Sequence, residues 1–183
     1  LKVAGCVFES ATHRDKPDVF AIKGGEKYGI ELTEGCPEEF HRAGDIVRKS
    51  GVTSFCSSSL EDNPKETQRK NTELRDSIVE EHFVNAEMSG VSWANRIARR
   101  IHRKAELLKA GEIERFDRNW LVVIDVVSGL GGLPNEFYRV ALMTALGTPH
   151  LAAPEFDTTY VVCLRDIFVI DKDRVIGARR EES

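Results

Sequence analysis

The chain has 183 residues, of which 41% are hydrophobic and 31% charged, a composition typical of a folded globular protein forming a single domain over 1–183. Its formal net charge of −4 gives no overall attraction for nucleic acid, so such binding would require a local basic surface. No apolar run approaches the length of a membrane span, and four scattered cysteines show no zinc-ligand spacing; we therefore expect no membrane contact, reduced thiols and a cytoplasmic location.

The first predicted element is a β-hairpin between Pro17 and Thr33. Residues 17–23 are apolar enough for a strand, Gly24-Gly25 suits the positive backbone angles of a tight turn, and residues 28–33 form the return strand. If the two glycines form a two-residue loop, counting outward from the turn places Asp18 opposite Glu31. Directly opposed residues share one face of the sheet, with Cβ atoms roughly 5 Å apart.

Two carboxylates placed in this way repel each other unless positive charge lies between them. A divalent cation with oxygen ligands is the obvious candidate. The alternative is a solvent-exposed hairpin whose register slips by one residue, which would leave Asp18 and Glu31 unrelated.

The next segment is predicted to contain a helix and then a polar excursion. Pro37 suits the first turn of a helix that continues to Lys49 with apolar residues at helical spacing. Residues 50–71 are rich in Ser, Asn, Lys and Glu, and a short helix is plausible at about 73–83. The stretch at about 50–90 is therefore predicted to be flexible or inserted.

The longest predicted helix covers about Ser92 to Ala110 and ends at Gly111 as its C-cap. Its buried stripe consists of Trp93, Ile97, Ile101, Ala105 and Leu108. Lys104 falls on the same stripe, where burying an ammonium without a partner is costly. Two interpretations are open: the Lys104 side chain snorkels to water, or it reaches an acidic site.

The same helix is the most basic part of the chain. Around Lys104 lie Arg96, Arg99, Arg100, His102 and Arg103. A run of this kind is usually a solvated helix face, but here it is also the best candidate for a surface that contacts the phosphate backbone of nucleic acid.

The remaining elements alternate between strand and helix. Residues 120–126 form a continuous apolar strand, and a glycine-rich loop at 127–133 leads into a helix that begins at Pro134. The apolar residues that this predicted helix carries are Phe137, Val140, Ala141, Met143 and Leu146. Two closing strands follow at 159–164 and 167–170, and the charged tail from Asp171 is expected to fray. The overall prediction is an α/β fold.

The hairpin resembles the paired acidic motif of the restriction-endonuclease-like nucleases, which reads Pro-Asp, then Asp or Glu, any residue, and Lys. In this chain the corresponding residues are Pro17-Asp18 and, on the facing strand, Glu31-Leu32-Thr33, with an acidic residue upstream at Glu9. The resemblance covers roughly Glu9 to Val126 and implies a mixed sheet flanked by helices. It also implies hydrolysis of a nucleic-acid phosphodiester, in DNA or RNA, with Mg²⁺ or Mn²⁺ as cofactor.

The resemblance also implies roles for individual residues. Asp18 and Glu31 would hold the metal together with the Leu32 carbonyl oxygen, and Glu9 would complete the shell or orient a second cation. The family's lysine position is occupied by Thr33, whose hydroxyl can orient water but carries no positive charge. Lys104 is the best replacement in this sequence. The predicted nucleic-acid contacts are Arg96, Arg99, Arg100 and Arg103.

Three functions stay open at this point. The chain is a metal-dependent nuclease, or a catalytically inactive binding or assembly protein on the same fold, or a ligand-binding α/β protein without a nucleic-acid role. The acidic net charge favours the third mildly. A homodimer is an open possibility for each.

Overall fold

The computed structural model describes residues 2–3, 6–35, 86–125, 134–147, 154–163, 166–171 and 174–179. In chain order its elements are β1 (Lys2–Val3), β2 (Cys6–Val7), β3 (Ser10–His13), β4 (Val19–Lys23), β5 (Glu26–Glu34), α1 (Ala86–Lys109), β6 (Arg118–Asp125), α2 (Asn135–Leu146), β7 (Thr158–Cys163), β8 (Asp166–Asp171) and β9 (Arg174–Arg179). The helix predicted at Pro37, most of the segment at 50–90 and the glycine-rich loop lie outside the described residues.

The main sheet has seven strands in the order β3-β4-β5-β6-β7-β8-β9. The central strands β5, β6 and β7 are parallel, whereas every other neighbouring pair in this sheet is antiparallel. β1 and β2 form a separate antiparallel pair. The predicted α/β class and mixed sheet are therefore confirmed. Within the described residues, no helix combines the length and the apolar character needed to cross a bilayer.

The hairpin of β4 and β5 has the predicted register. Lys23 pairs with Glu26, and the ladder continues to the pair of Val19 and Ile30. The glycines of the turn have φ values of 60° and 80°, which are the positive angles that a two-residue type I′ loop requires. Because side chains alternate along a strand, the next positions outward, Asp18 and Glu31, point to one face of the sheet.

α1 begins at Ala86, before the predicted start, and ends as predicted. Gly111 has a φ of 77°, its N–H donates to the Leu108 carbonyl, and the Glu112 N–H donates to the Leu107 carbonyl. These two hydrogen bonds are the Schellman pattern, which satisfies the last carbonyls of a helix. The predicted stripe is buried along its whole length, with each of its five side chains at most 6% exposed.

The parallel strands have a different core on each face. On one face, α1 and α2 pack against residues such as Leu121, Val123 and Val161. The opposite face carries an aromatic cluster, whose ring centroids lie 5.1 to 5.6 Å apart and which consists of Phe8, Tyr28, Trp120 and Tyr160. Since Glu31 pairs with Leu121, Glu31 belongs to the face covered by the helices.

The C-terminal half departs from the predictions at two points, Val140 of α2 and the charged tail. The buried residues of α2 are Tyr138, Leu142 and Leu146, and Val140 is 49% exposed. Leu146 is buried as expected, and Phe137, Ala141 and Met143 are partly buried and pack against the same core. Tyr138 packs edge-on against Trp93 of α1, with 5.6 Å between the ring centroids. The tail from Asp171 was expected to fray, but Arg174–Arg179 form β9, which pairs with β8 and buries Val175.

Candidate functional site

The centre of the candidate site is an ion pair between α1 and β5. Lys104 Nζ donates to Glu31 Oε1 across 2.5 Å. The Glu31 side chain is only 6% exposed and that of Lys104 is 24% exposed. Of the two interpretations of Lys104, the structure favours the one in which the lysine reaches an acidic group, and the ammonium still has access to solvent.

The second carboxylate oxygen of Glu31, Oε2, accepts no hydrogen bond from the described residues although it is buried. A buried acceptor left in this way costs about 1–3 kcal/mol, unless a water molecule or a cation binds it. Glu31 therefore has one oxygen committed to Lys104 and one available to a ligand.

Asp18 lies at the same end of the hairpin. β4 begins at Val19, so its ladder with β5 stops there, and Asp18 Oδ2 accepts a hydrogen bond from the Leu32 N–H at 2.7 Å. The N–H and the carbonyl of one strand residue point to the same side of the strand. The Leu32 carbonyl therefore points to the side on which Asp18 lies, as its predicted role as a metal ligand requires.

These oxygens fit a hard divalent cation. Two carboxylates and one carbonyl are the ligand types that Mg²⁺ and Mn²⁺ prefer. Asp18, Glu31 and Lys104 together carry a formal charge of −1, so the lysine does not fully neutralise the two carboxylates. Among the described residues, no group of three or more His, Cys, Asp and Glu side chains could hold an ion. A cation at this site would consequently retain several water ligands, as Mg²⁺ usually does.

The structure does not place Glu9 with this group, so its predicted role as a metal ligand is wrong. Glu9 Oε1 accepts the Gly24 N–H at 2.9 Å, and the Glu9 N–H donates to Ile22. Glu9 thus stabilises the hairpin turn at one end of β4, whereas Asp18 lies at the other end. Five strand residues separate the two ends, a distance of about 16 Å at the usual rise.

Arg96 does not belong to a nucleic-acid surface, contrary to the prediction. It is 5% exposed, its Nη2 lies 3.2 Å from Asp125 Oδ2, and its Nε donates to the Gly35 carbonyl. Asp125 is fully buried and also accepts the Trp93 indole N–H at 2.9 Å. The Asp125 carboxylate stands at the end of an otherwise apolar, buried strand, and this was a sequence signal that could have indicated a basic partner, although not which residue supplies it.

The other predicted basic contacts differ in their accessibility. Arg99 and Arg103 are exposed, and Arg100 is half-buried. Thr33 is half-buried and lies two residues beyond Glu31, so its side chain shares the face of Glu31. Arg99 and Arg103 therefore stay candidates for contacts with a backbone phosphate, and Thr33 stays a candidate for orienting water.

A separate cavity of about 630 Å³ lies elsewhere on the sheet. Its lining residues are Glu26, Tyr28, Arg118, Trp120, Pro154, Asp157, Thr158 and Asp171. Arg118 is paired with Glu26 and with Asp157, and the Tyr28 hydroxyl donates to Glu26. Burial and this contact with Glu26 raise the pKa of Tyr28 above its ordinary value of 10.0. Because Arg118 largely neutralises the carboxylates of Glu26 and Asp157, this cavity is a weaker candidate for a functional site than the Glu31 site.

Comparison with family profiles, with curated proteins and with solved structures found no match for this chain. The function therefore has to be inferred from the chemistry of the site. The resemblance to restriction-endonuclease-like nucleases rests on the hairpin motif and stays a prediction.

Proposed function

We propose that this chain is a metal-dependent nuclease that hydrolyses phosphodiester bonds of nucleic acid. The observation that carries the proposal is the contact of Lys104 Nζ with Glu31 Oε1 beside Asp18. It supplies a positive charge at the site although the motif position is Thr33. A nuclease of this type needs two carboxylates and a basic group in one place. Lys104 and Glu31 are 73 positions apart in the sequence, and the fold brings them into contact.

The metal ligands in this proposal are Asp18, Glu31 Oε2 and the Leu32 carbonyl. Mg²⁺ or Mn²⁺ bound there would supply a water of lowered pKa and neutralise charge on the scissile phosphate. Asp18 is held in place by its hydrogen bond from Leu32, and Glu31 by its ion pair with Lys104. Both carboxylates are therefore oriented before a ligand arrives, which reduces the cost of ordering them on binding.

Lys104 has a second task in the proposed mechanism. An ammonium has three N–H donors, and Glu31 Oε1 accepts one of them. The remaining donors can bind the attacking water or a phosphate oxygen, because the side chain is 24% exposed. Positive charge at this point stabilises the negative charge that develops on the phosphate in the transition state.

The order of elements supports a restriction-endonuclease-like fold. An antiparallel hairpin carries the two acids, and α1 then lies between β5 and a parallel strand, β6, in the chain. This is the mixed sheet with helices that the resemblance implies. Nucleic acid is the proposed partner through exposed Arg99 and Arg103. The cytoplasmic location and a homodimer stay predictions.

A second candidate is an inactive binding or assembly protein on the same fold. The short ion pair between Lys104 and Glu31 favours it, because a closed pair can stabilise the contact of α1 with β5 without any cation. Thr33 favours it as well, since the usual charge is missing from the motif. A nuclease assay separates the two candidates.

The test is cleavage of single- and double-stranded DNA and RNA with Mg²⁺, with Mn²⁺ and with a chelator. The nuclease proposal expects metal-dependent cleavage by the unmodified protein and none by Glu31→Gln. Glu112→Gln, a change at an exposed position just beyond α1, is the matched control and should cleave normally. If the unmodified protein cleaves no substrate with either metal, the inactive candidate is favoured.

A further inference from the structure

Arg14 stands beside the candidate site on the same face of the sheet. The last pair of β3 and β4 is His13 with Val19. The next position outward therefore sets Arg14 opposite Asp18, and the Arg14 N–H continues the ladder by donating to the Asp18 carbonyl at 2.9 Å. Directly opposed residues of antiparallel strands direct their side chains to one face. Because Asp18 and Glu31 share the face covered by the helices, Arg14 points to that face as well.

Two phenylalanines hold the Arg14 guanidinium in place. Its central carbon lies 5.8 Å from the centre of the Phe20 ring and 5.6 Å from that of the Phe116 ring. The two rings contact each other, with 5.2 Å between their centroids, and both are half-buried. A guanidinium over the face of an aromatic ring is attracted by the charge distribution of the ring. These contacts therefore fix the position of the Arg14 charge.

The aromatic contacts lie one step along the sheet from the candidate metal ligands. Phe20 shares the face of Asp18 and is two residues nearer the turn, about 7 Å away at the usual rise. Phe116 covers Gly29, the partner of Phe20 in the hairpin, since a Cβ at Gly29 would lie 2.7 Å from the Phe116 ring. The Arg14 guanidinium is displaced from Asp18 by a distance of this order, which is comparable with the separation of neighbouring phosphates in one nucleic-acid strand.

One edge of the guanidinium is paired with Glu114. Arg14 Nη2 donates to Glu114 Oε2 at 3.0 Å, and the two side chains are 40% and 54% exposed. A pair with this exposure contributes little to stability, so a second anion can replace the Glu114 carboxylate at small cost. A guanidinium has five N–H donors, and this contact uses one of them. Glu114 thus orients Arg14 in the free protein and competes with a phosphate that approaches it.

We propose that Arg14 binds the backbone phosphate next to the one that is cleaved at the Glu31 site. Its planar fork donates two parallel hydrogen bonds to the non-bridging oxygens of that phosphodiester, which a lysine cannot do. The strand is then held at two successive phosphates, one at the carboxylates and one at Arg14. This inference rests on the proposed function, since it names a substrate contact of the same site.

The experiment measures binding without cleavage. Anisotropy of a fluorescent single-stranded DNA oligonucleotide is recorded in chelator at several salt concentrations. Arg14→Gln and Glu114→Gln each remove one partner of the proposed phosphate contact. Arg115→Gln and Glu155→Gln are the matched controls, because they remove the partners of another surface ion pair. Glu155 precedes β7, which is three strands from β4 in the sheet, and thermal melting establishes that each variant is folded.

We expect Arg14→Gln to weaken binding about tenfold and to reduce the salt slope by about 0.7, the value for one contact with a single-strand phosphate. Glu114→Gln should strengthen binding, because the carboxylate that competes for Arg14 is gone. The two control variants should change the affinity less than about twofold, since only screened, general charge acts there. Arg14→Gln should keep the Mn²⁺-induced rise in Tm, because Arg14 is not a metal ligand.

Equal losses in Arg14→Gln and Arg115→Gln would overturn the inference, because only general charge would then matter. Normal binding by folded Arg14→Gln, weaker binding by Glu114→Gln, or no binding by the unmodified protein would overturn it as well. If Arg14→Gln fails to fold, Arg14→Lys decides: reduced affinity with an unchanged salt slope supports the fork, and full affinity contradicts it. Weaker binding by Arg14→Gln in a protein that cleaves nothing would support the phosphate contact and reject the nuclease activity.

Discussion

Lys104 and Glu31 form a 2.5 Å ion pair that joins the C-terminal part of the long helix to the second strand of the hairpin. The pair leaves Glu31 Oε2 buried without a hydrogen-bond partner in the described residues, on the face toward which Asp18 also points. A purely structural pair would be more stable with both carboxylate oxygens satisfied. The exposed fraction of Lys104 and the available Glu31 oxygen together indicate a place where a ligand completes the set.

Metal binding should stabilise the unmodified protein and should not stabilise Glu31→Gln. A cation that binds only the folded state adds about 2.7 kcal/mol at a concentration one hundred times its Kd, which raises the Tm by several degrees in a protein of this size. The measurement is the Tm with and without Mn²⁺. Without metal, Glu31→Gln should melt slightly lower, because Lys104 then lacks a charged partner.

Glu9→Gln is the control for this experiment. The Glu9 carboxylate binds the Gly24 N–H at the hairpin turn, so its removal should leave the Mn²⁺-induced rise in Tm intact. A rise that persists in Glu31→Gln and disappears in Glu9→Gln would place the cation at the turn and would contradict the proposed site.

The buried pair of Arg96 and Asp125 should be essential for stability. Replacement of Arg96 by Met removes a guanidinium 3.2 Å from the fully buried Asp125 carboxylate, and breaking a buried ion pair typically costs about 3–5 kcal/mol. Urea unfolding measures the loss. Arg118→Gln, at the exposed pair with Glu26, should cost less than about 1 kcal/mol. Similar small losses in both variants would contradict the structural role of Arg96.

The hairpin register should depend on the positive φ angles of its turn. Gly25 has a φ of 80°, so Gly25→Ala should lower the free energy of unfolding by about 1–2 kcal/mol. Gly25→Asn should cost less, because asparagine tolerates this conformation. Urea unfolding of the two variants gives the comparison, and a better tolerated alanine would argue against the type I′ turn that sets Asp18 opposite Glu31.

The sequence predicted best those features that are determined by residues close together in the chain, such as a tight turn or the buried face of a helix. The two glycines determine the turn and therefore the pairing of Lys23 with Glu26, from which the common face of Asp18 and Glu31 follows. Helical periodicity likewise placed Lys104 on the buried stripe. It could not give the distance to Glu31, since that depends on how α1 crosses β5.

Long-range partners were less predictable. Arg96 has the same local surroundings as Arg99 and Arg100, and only the packing of α1 against β6 brings it to Asp125. The strand at 174–179 was missed because its charged ends hide the alternation around Val175. Glu9 was misplaced because a loop residue before β3 can lie at either end of the hairpin, and the antiparallel register decides which.

The central claim is that Lys104 supplies the positive charge that the motif lacks at Thr33. The measurement is metal-dependent cleavage by Lys104→Met, on whichever nucleic acid the unmodified protein cleaves, beside Lys109→Met at the exposed end of α1. Methionine keeps most of the apolar stem of lysine, so both variants should fold. We predict that Lys104→Met loses cleavage and that Lys109→Met retains it. Undiminished cleavage by folded Lys104→Met would contradict the account.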